Sequence, residues 1–282
     1  FTGAVTTNDD IFEMASSIIN GNFMPGLIDE VRIYNRALTS DEIKRLYNIG
    51  STLKVNKTRR DAITNGLVGY WTFDGPDMSG NTATDRSGNA NNGTLTNGPK
   101  RTIGKIGQAL DFDGGDDYVA GGSGSSLDQM SNFSVSAWIY TRSMRSSGDK
   151  LVTKVDGTGQ GWQFGVISGS CANALMFLAD NSLQAYATDI IQLNKWQHVV
   201  MTWNGSMQYA NVQFYVDGVA YTNNASCSVN GSTRVDDSAE GLRIGSGVSG
   251  SANPFNGFID EVRVYNRVLT ADEIKRLYNM GR

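Results

Sequence analysis

The chain is poor in the residues that usually announce a chemistry. Its 282 residues include two cysteines, four prolines and one histidine, and charged side chains make up only 18%. Cys171 and Cys227 lie in Ser/Asn/Gly-rich surroundings with no CxxC or Cys/His spacing, so a zinc site is not expected. The two thiols are expected to pair, closing a loop of about 56 residues worth on the order of 4 kcal/mol in the chain-entropy picture. The alternative is two reduced cysteines in separate loops. A disulfide implies an oxidising, extracellular or cell-surface setting. No apolar run is long enough for a spanning helix, so membrane insertion is not expected. The net charge of −4 offers no basic surface for nucleic acid. His198 sits between Gln197 and Val199 in an alternating stretch, away from any serine or cysteine nucleophile motif, and reads as structural.

Glycine, by contrast, is abundant at 33 residues, and with Asn, Ser and Thr it punctuates short apolar runs. That pattern belongs to all-β proteins. Strands are expected around Trp71 and Phe73, from Phe133 to Tyr140, Trp162 to Ile167, Ala174 to Ala179, Leu183 to Ala187, Trp196 to Trp203 and Val212 to Val216. Asp217-Gly218 marks a two-residue hairpin turn before Val219. Ile106 to Asp113 and Tyr118-Val119 read as a second hairpin across Gly114-Gly115.

One stretch occurs twice. Gly26–Gly50 and Gly257–Gly281 are identical at 20 of 25 positions, differing only at Leu27/Phe258, Ile33/Val264, Ala37/Val268, Ser40/Ala271 and Ile49/Met280. An offset of 231 residues (257 minus 26) implies a domain-sized repeat. Each copy reads as a strand and a short helix. In the second, alternation places Glu261, Arg263 and Tyr265 on one face and Phe258, Asp260, Val262 and Val264 on the other. Thr270 and Glu273 form a capping box, Ile274, Leu277 and Tyr278 an apolar stripe, and Gly281 a stop. Three segments follow: residues 1–50 as the closing strands and helix of one repeat, 51–65 as a linker carrying Lys54, Lys57, Arg59 and Arg60, and 66–282 as a complete domain. Ile11 to Ser16 matches Gly241 to Ser246 as the strand before the repeat.

This ending, together with Leu67-Val68-Gly69-Tyr70-Trp71-Thr72-Phe73-Asp74, Asp111-Phe112-Asp113-Gly114-Gly115-Asp116-Asp117-Tyr118-Val119 and Phe133-Ser134-Val135-Ser136-Ala137-Trp138-Ile139, resembles the LamG-like jelly-roll family of concanavalin A-like lectin/glucanase sandwiches. The resemblance implies two stacked antiparallel sheets with a short C-terminal helix. Sugar binders, adhesion modules and inert spacers all occur on this fold, so function has to come from a site. Glucanases of the class carry an ExDxxE-type strand, which is absent. The domain's glutamates are Glu240, Glu261 and Glu273, and two of these belong to the closing unit. Catalysis is therefore not expected.

Metal binding is the better-supported chemistry. A carboxylate on an apolar face, as Asp260 reads, is costly unless paired or coordinated. The closing strand also resembles that of laminarinases and lichenases, where the matching aspartate helps to hold a structural calcium. Carried over, this implies Asp260 with carbonyls near Asp74 and Gly114, a mixed oxygen set that suits calcium. A second candidate is the loop with Asp85, Ser87, Asn89 and Asn91, whose spacing equally fits Asx-turns. Asp113, Asp116 and Asp117 share that ambiguity. For sugar, Trp162 between Gly161 and Gln163 is the leading stacking candidate, with Tyr140, Tyr186 and Tyr209 behind it, while Trp138, Trp196 and Trp203 read as core.

The expected protein is a non-catalytic, calcium-bearing, lectin-like module of a tandem-repeat surface or secreted protein, binding glycan or surface polysaccharide or mediating adhesion. Its rivals are a structural spacer and a degenerate glycoside hydrolase. The duplicated tail is expected to add to a neighbouring copy, as in a head-to-tail fibre.

Overall fold

Period-two alternation of large apolar and small polar residues builds two sheets whose inner faces share one core. The structure, a computed structural model, describes residues 31, 33–40, 42–43 and 63–282 apart from 170, 172 and 249–251. The chain divides into two units, Phe1–Asn56 and Lys57–Arg282. In chain order the strands of the second unit are β1 (Leu67–Trp71), β2 (Met78–Ser79), β3 (Thr82–Ala83), β4 (Gly93–Thr96), β5 (Lys100–Ile103) and β6 (Gln108–Asp113). There follow β7 (Tyr118–Ala120), β8 (Phe133–Thr141), β9 (Asp149–Val155), β10 (Gly161–Ile167), β11 (Ala174–Ala179) and β12 (Leu183–Ala187). The last are β13 (Trp196–Trp203), β14 (Val212–Val216), β15 (Val219–Tyr221), β16 (Arg243–Ile244) and β17 (Asn256–Tyr265), before the helix α1 (Ala271–Met280).

The first sheet runs β15-β14-β13-β8-β17-β6-β5, with β1 also paired to β17. The second runs β12-β11-β10-β9-β16-β7-β4-β3-β2. The named strand pairs are antiparallel, as expected for a jelly-roll sandwich. Phe133, Trp162, Phe177 and Trp203 form the centre of the core, with the Phe133 ring 4.7 Å from Trp162 and 5.5 Å from Trp203. Asp217 and Gly218 take positive φ between β14 and β15, the backbone that a two-residue hairpin turn requires.

Two sequence expectations change. First, β6 and β7 do not form a hairpin. β6 pairs with β5 and β17 in one sheet, and β7 with β4 and β16 in the other. The Gly114-Gly115 turn therefore carries the chain between sheets.

Second, the closing strand does not alternate throughout. Against β8, pairing steps two residues from Trp138 to Ser136 but three from Asp260 to Arg263. Glu261, at φ 54°, is the extra residue of a bulge. Ile259, Val262 and Val264 thus enter the core, while Asp260, Arg263 and Tyr265 share the outer side. Asp260 does not stand on the apolar inner face as strict alternation implies.

Helix α1 covers part of that outer face. Thr270 Oγ1 accepts the Glu273 amide at 3.3 Å, and Glu273 accepts the Thr270 amide at 2.8 Å, closing the capping box. Tyr265, Leu269, Ile274 and Leu277 pack there with Val200. Gly281 has φ −105°, so left-handed backbone does not explain it. A Cβ would lie 2.7 Å from the Trp138 ring, so glycine permits close packing instead.

In the first copy, Ser40, Glu42 and Ile43 are helical, and Val31, Ile33 and Tyr34 lie outside strands. The strand expected over Ile11–Ser16 and the linker over 51–62 lie outside the described residues.

Candidate functional site

Beyond the part covered by α1, the outer face of the first sheet carries one continuous cross-strand row. Register places Lys100 of β5, Asp111 of β6, Phe258 of β17, Tyr140 of β8 and Trp196 of β13 side by side. The three rings are half-buried and mutually packed: Tyr140 lies 5.2 Å from Phe258 and 5.9 Å from Trp196. Arg142, immediately after β8, stacks its guanidinium 4.4 Å above Phe258 and donates to Asp111 Oδ1 at 2.7 Å. It also reaches Asn256 Oδ1 at 3.4 Å.

Arg142 and Asp111 join this aromatic surface to a cavity of about 400 Å³, lined also by Asn97, Gly98, Lys100, Asp113 and Asp117. At its rim, carboxylate oxygens of Asp113, Asp116 and Asp117 lie within 4.8 Å of one another. Burial pushes the Asp117 carboxyl up, and Asp113, Asp116 and Asp111 add to the rise by repulsion, although the Asp113 amide donates to it at 3.1 Å. The arrangement is chemically suited to a polyhydroxylated ligand: flat apolar rings beside charged and amide hydrogen-bonding groups.

Of the sugar candidates, Tyr140 belongs to this row. Trp162 does not, because its side chain is 0% exposed in the sandwich centre. The flanking glycine misled here. Gly161 faces the Lys154 carbonyl, which a Cβ would meet at 2.2 Å, and so answers a backbone approach rather than an open loop. Tyr186 is also buried, on the outer side of the second sheet with Met176 and the paired Cys171 and Cys227. The disulfide expected from sequence is formed, with Cα atoms 6.0 Å apart. Trp138 and Trp203 are buried as expected, whereas Trp196 is half-buried in the row. Sequence reasoning missed Phe258, Trp196, Arg142 and Asn256, since only cross-strand register brings them together.

The calcium set is brought together in part. Asp260 is fully buried beneath the β5–β6 turn, where the Lys105 and Ile106 amides each donate to Oδ2 at 2.9 Å. Gly104 is required beneath it, since a Cβ would sit 2.7 Å from Oδ2. Oδ1 is buried with no hydrogen-bond partner. Burial pushes this carboxyl up to about 8; the two amides oppose the shift, and Glu261 and Asp74 add to it. Asp74 is thus a near neighbour, holding the Gln108 amide at 2.7 Å. Gly114 is not. Its carbonyl accepts from Arg145, and it lies beyond the Asp113–Asn256 pair, towards the opposite end of β6.

Asp85 is a hub rather than a vacant ligand. It accepts the Tyr70, Ser87 and Asn91 amides and the Ser87 hydroxyl, all at 2.8–2.9 Å, which uses all of its roughly four acceptor positions. Asn89 spends its amide on Leu67 O and Ser87 Oγ. The Ser87 amide on Asp85 Oδ1 is the Asx-turn expected as the alternative for this loop.

Beneath α1 lies a buried polar cluster. His198 Nε2 is 2.9 Å from Ser136 Oγ, and burial, then the Arg263 charge, pushes the imidazole down to about 3. Arg263 is paired with Glu261 and donates to the Tyr70 hydroxyl at 2.7 Å. Helix and sheet enclose these groups, which accords with the structural role expected for His198.

Two antiparallel sheets, a closing strand and a covering helix define the class: a jelly-roll sandwich of lectin and glucanase type. Residues 113–275, more than half of the chain, match the model of the Concanavalin A-like lectin/glucanases superfamily, and the chain belongs to that family. Among solved structures it resembles domain 4 of the GH43 extracellular arabinanase AbnA from Geobacillus stearothermophilus, in complex with arabinotriose. That match has a TM-score of 0.55 and 19% identity, covering 75% of this chain and 98% of that one. It also resembles the binding domain of Paraclostridial Mosquitocidal Protein 1, at TM-score 0.55 and 17% identity, covering 77% of this chain and 53% of that one. A third match is Trypanosoma rangeli sialidase in complex with sialic acid, at TM-score 0.50 and 20% identity, covering 76% of this chain and 32% of that one. At these identities the likeness establishes the fold, and the fold alone does not decide between binding and catalysis.

Proposed function

We propose that the protein is a non-catalytic, lectin-like module that binds glycan on the Tyr140–Trp196–Phe258 row and in the adjoining cavity. The carrying observation is the continuity of three half-buried rings with Arg142, Asp111 and the cavity behind them. A sugar ring would lay its C–H face on the aromatic surface while Arg142, Asn256, Lys100 and Asn97 bond its hydroxyls. The disulfide supports a secreted or cell-surface setting for such a module. Among the described residues, no helix is long and apolar enough to cross a membrane. The test is a glycan array probed with and without calcium. Tyr140→Ala and Trp196→Ala should each weaken binding to any retained glycan about tenfold or more. Retention of no glycan in either condition would favour the spacer reading instead.

Calcium is the proposed partner of Asp260. The fit rests on Oδ1, a buried carboxylate oxygen lacking a partner, with Asp74 as a second oxygen source nearby. A bound ion would neutralise a charge that burial otherwise disfavours. Asp260→Asn should remove any rise in melting temperature that calcium gives the parent protein, and a parent melting curve unchanged by chelator would refute the site.

A hydrolase reading draws on Asp117, whose raised pKa and neighbouring Asp113 carboxylate resemble an acid and its partner. Binding without catalysis is preferred because Asp113, Asp116 and Asp117 share one turn and cannot flank a glycosidic bond from two sides. Release of reducing ends, lost in Asp117→Asn, would reverse that preference.

A further inference from the structure

The second closing unit, Gly257–Gly281, seats β17 between β6 and β8 and folds α1 over the outer face. We propose that this groove has two candidate occupants within one chain: Gly26–Gly50 can close the same sandwich body when Gly257–Gly281 is disabled.

Three observations carry this. First, the side chains that hold the second unit in place recur unchanged in the first. Asp260 in the Lys105/Ile106 amide nest, Glu261 on Tyr70, Arg263, Tyr265, Ile274, Leu277 and the tight Gly281 correspond to Asp29, Glu30, Arg32, Tyr34, Ile43, Leu46 and Gly50. Of the five differences, Val268, Ala271 and Met280 lie on exposed positions and Phe258 on a half-buried one. Only Val264, replaced by Ile33, is a core position, and it gains a single methyl group there. The first unit should therefore close the body less tightly than the second, which makes it the reserve.

Second, the polar clamp at the head of the helix is the same in both copies. Arg36 binds Glu42 at 2.6 and 2.9 Å, and the Thr39 amide donates to Glu42 at 2.8 Å. In the second copy, Arg267 binds Glu273 at 2.8 and 2.9 Å and the Thr270 amide donates to it at 2.8 Å. Yet Val31, Ile33, Tyr34 and Ile43 are 50%, 70%, 40% and 55% exposed, while their counterparts Val262, Val264, Tyr265 and Ile274 are all at 0%. The polar clamp is formed, and these four apolar side chains of the first copy are exposed.

Third, the connection is long enough. The Asn266 amide bonds Gly66 O at 2.8 Å, so the body begins beside the corner that leads into α1. From the end of the helix back to that corner is about one helix length, roughly 15 Å for ten residues. The fifteen residues from 51 to 65 reach up to about 50 Å. The first unit can thus enter the groove of its own chain, giving a permuted order of the same strands.

The test uses the full chain and two buried-position changes, Ile43→Asp and Ile274→Asp, alone and together. Thermal unfolding of Ile43→Asp should match the parent, since the second unit holds the groove. Ile274→Asp should keep a cooperative transition, lowered by several degrees, because the first unit takes over. The double variant should lose that transition. Equal behaviour of Ile274→Asp and the double variant, whether both fold or neither does, would overturn the proposal. Light scattering of Ile274→Asp should give a monomer; a concentration-dependent dimer would overturn the same-chain route.

Discussion

The aromatic residues divide by depth, and depth predicts what each substitution does. Trp162 packs on Phe133 in the centre of the sandwich, so Trp162→Ala should cost about 3–5 kcal/mol of stability, seen as a lower urea midpoint. Tyr140→Ala or Trp196→Ala, at half-buried positions, should cost about 1 kcal/mol and act mainly on ligand binding. The opposite pattern would remove the row as a binding surface. His198 supplies a pH test, because the chain has no second histidine. The folded imidazole is held down to about 3, facing Ser136, Trp138, Tyr278 and the charge of Arg263, against an unfolded value near 6.5. The unfolded chain therefore takes up a proton that the native state refuses. Its contribution is complete above about pH 6.5 and is lost as pH falls towards 3. Between pH 7 and 5 this contribution should fall by about 2 kcal/mol, read as the difference between the parent and His198→Asn slopes in urea titrations, because Asp260 titrates in the same window with the opposite sign.

At the scale of elements, strands β10 to β14 were legible almost to the residue, because each is a short apolar run bounded by Gly, Asn, Asp or Ser turn residues. The capping box at Thr270 was equally readable, being a local pattern four residues long. What the sequence concealed depends on neighbours distant along the chain. The bulge at Glu261 leaves no compositional mark, yet it moves Asp260 from the expected inner face to the outer one. The Lys105 and Ile106 amides that hold Asp260 lie about 155 residues away in sequence. The cross-strand row draws one residue from each of five strands, and of the five only Tyr140 stood out as a candidate in its own segment. The disulfide was legible only as a pairing, and its placement beside Tyr186 and Met176 gives it a measurable role. Cys171 and Cys227 tie the segment after β10 to the one following β15, across 56 residues. Reduction should lower stability by up to about 4 kcal/mol, read as a fall in melting temperature with reductant. An unchanged melting temperature after confirmed reduction would show that the loops hold their places without it.

For the molecule as a whole, the described core belongs to the second unit, from Val68 to Leu277. Both sheets, the covering helix, the disulfide and the row with its cavity fall within Lys57–Arg282, where the chain divides. With some 226 residues (57 to 282), that unit is large enough to bury roughly 70% of its unfolded surface, well above the size at which small domains need outside support. Its closing groove is filled by its own β17 and α1. Removal of residues 1–56 should therefore leave a protein that unfolds in one cooperative transition, within a few degrees of the full chain, and that retains any glycan the full chain retains. Assembly is the property this deletion should change. Ile33, Tyr34 and Ile43 expose apolar surface, and the first unit can add to a neighbouring copy only if it is present. Light scattering over a concentration series then separates the two roles: association in the full chain that disappears on deletion assigns it to the first unit. A deleted chain that fails to unfold cooperatively would show instead that residues 1–56 are part of the sandwich's own stability.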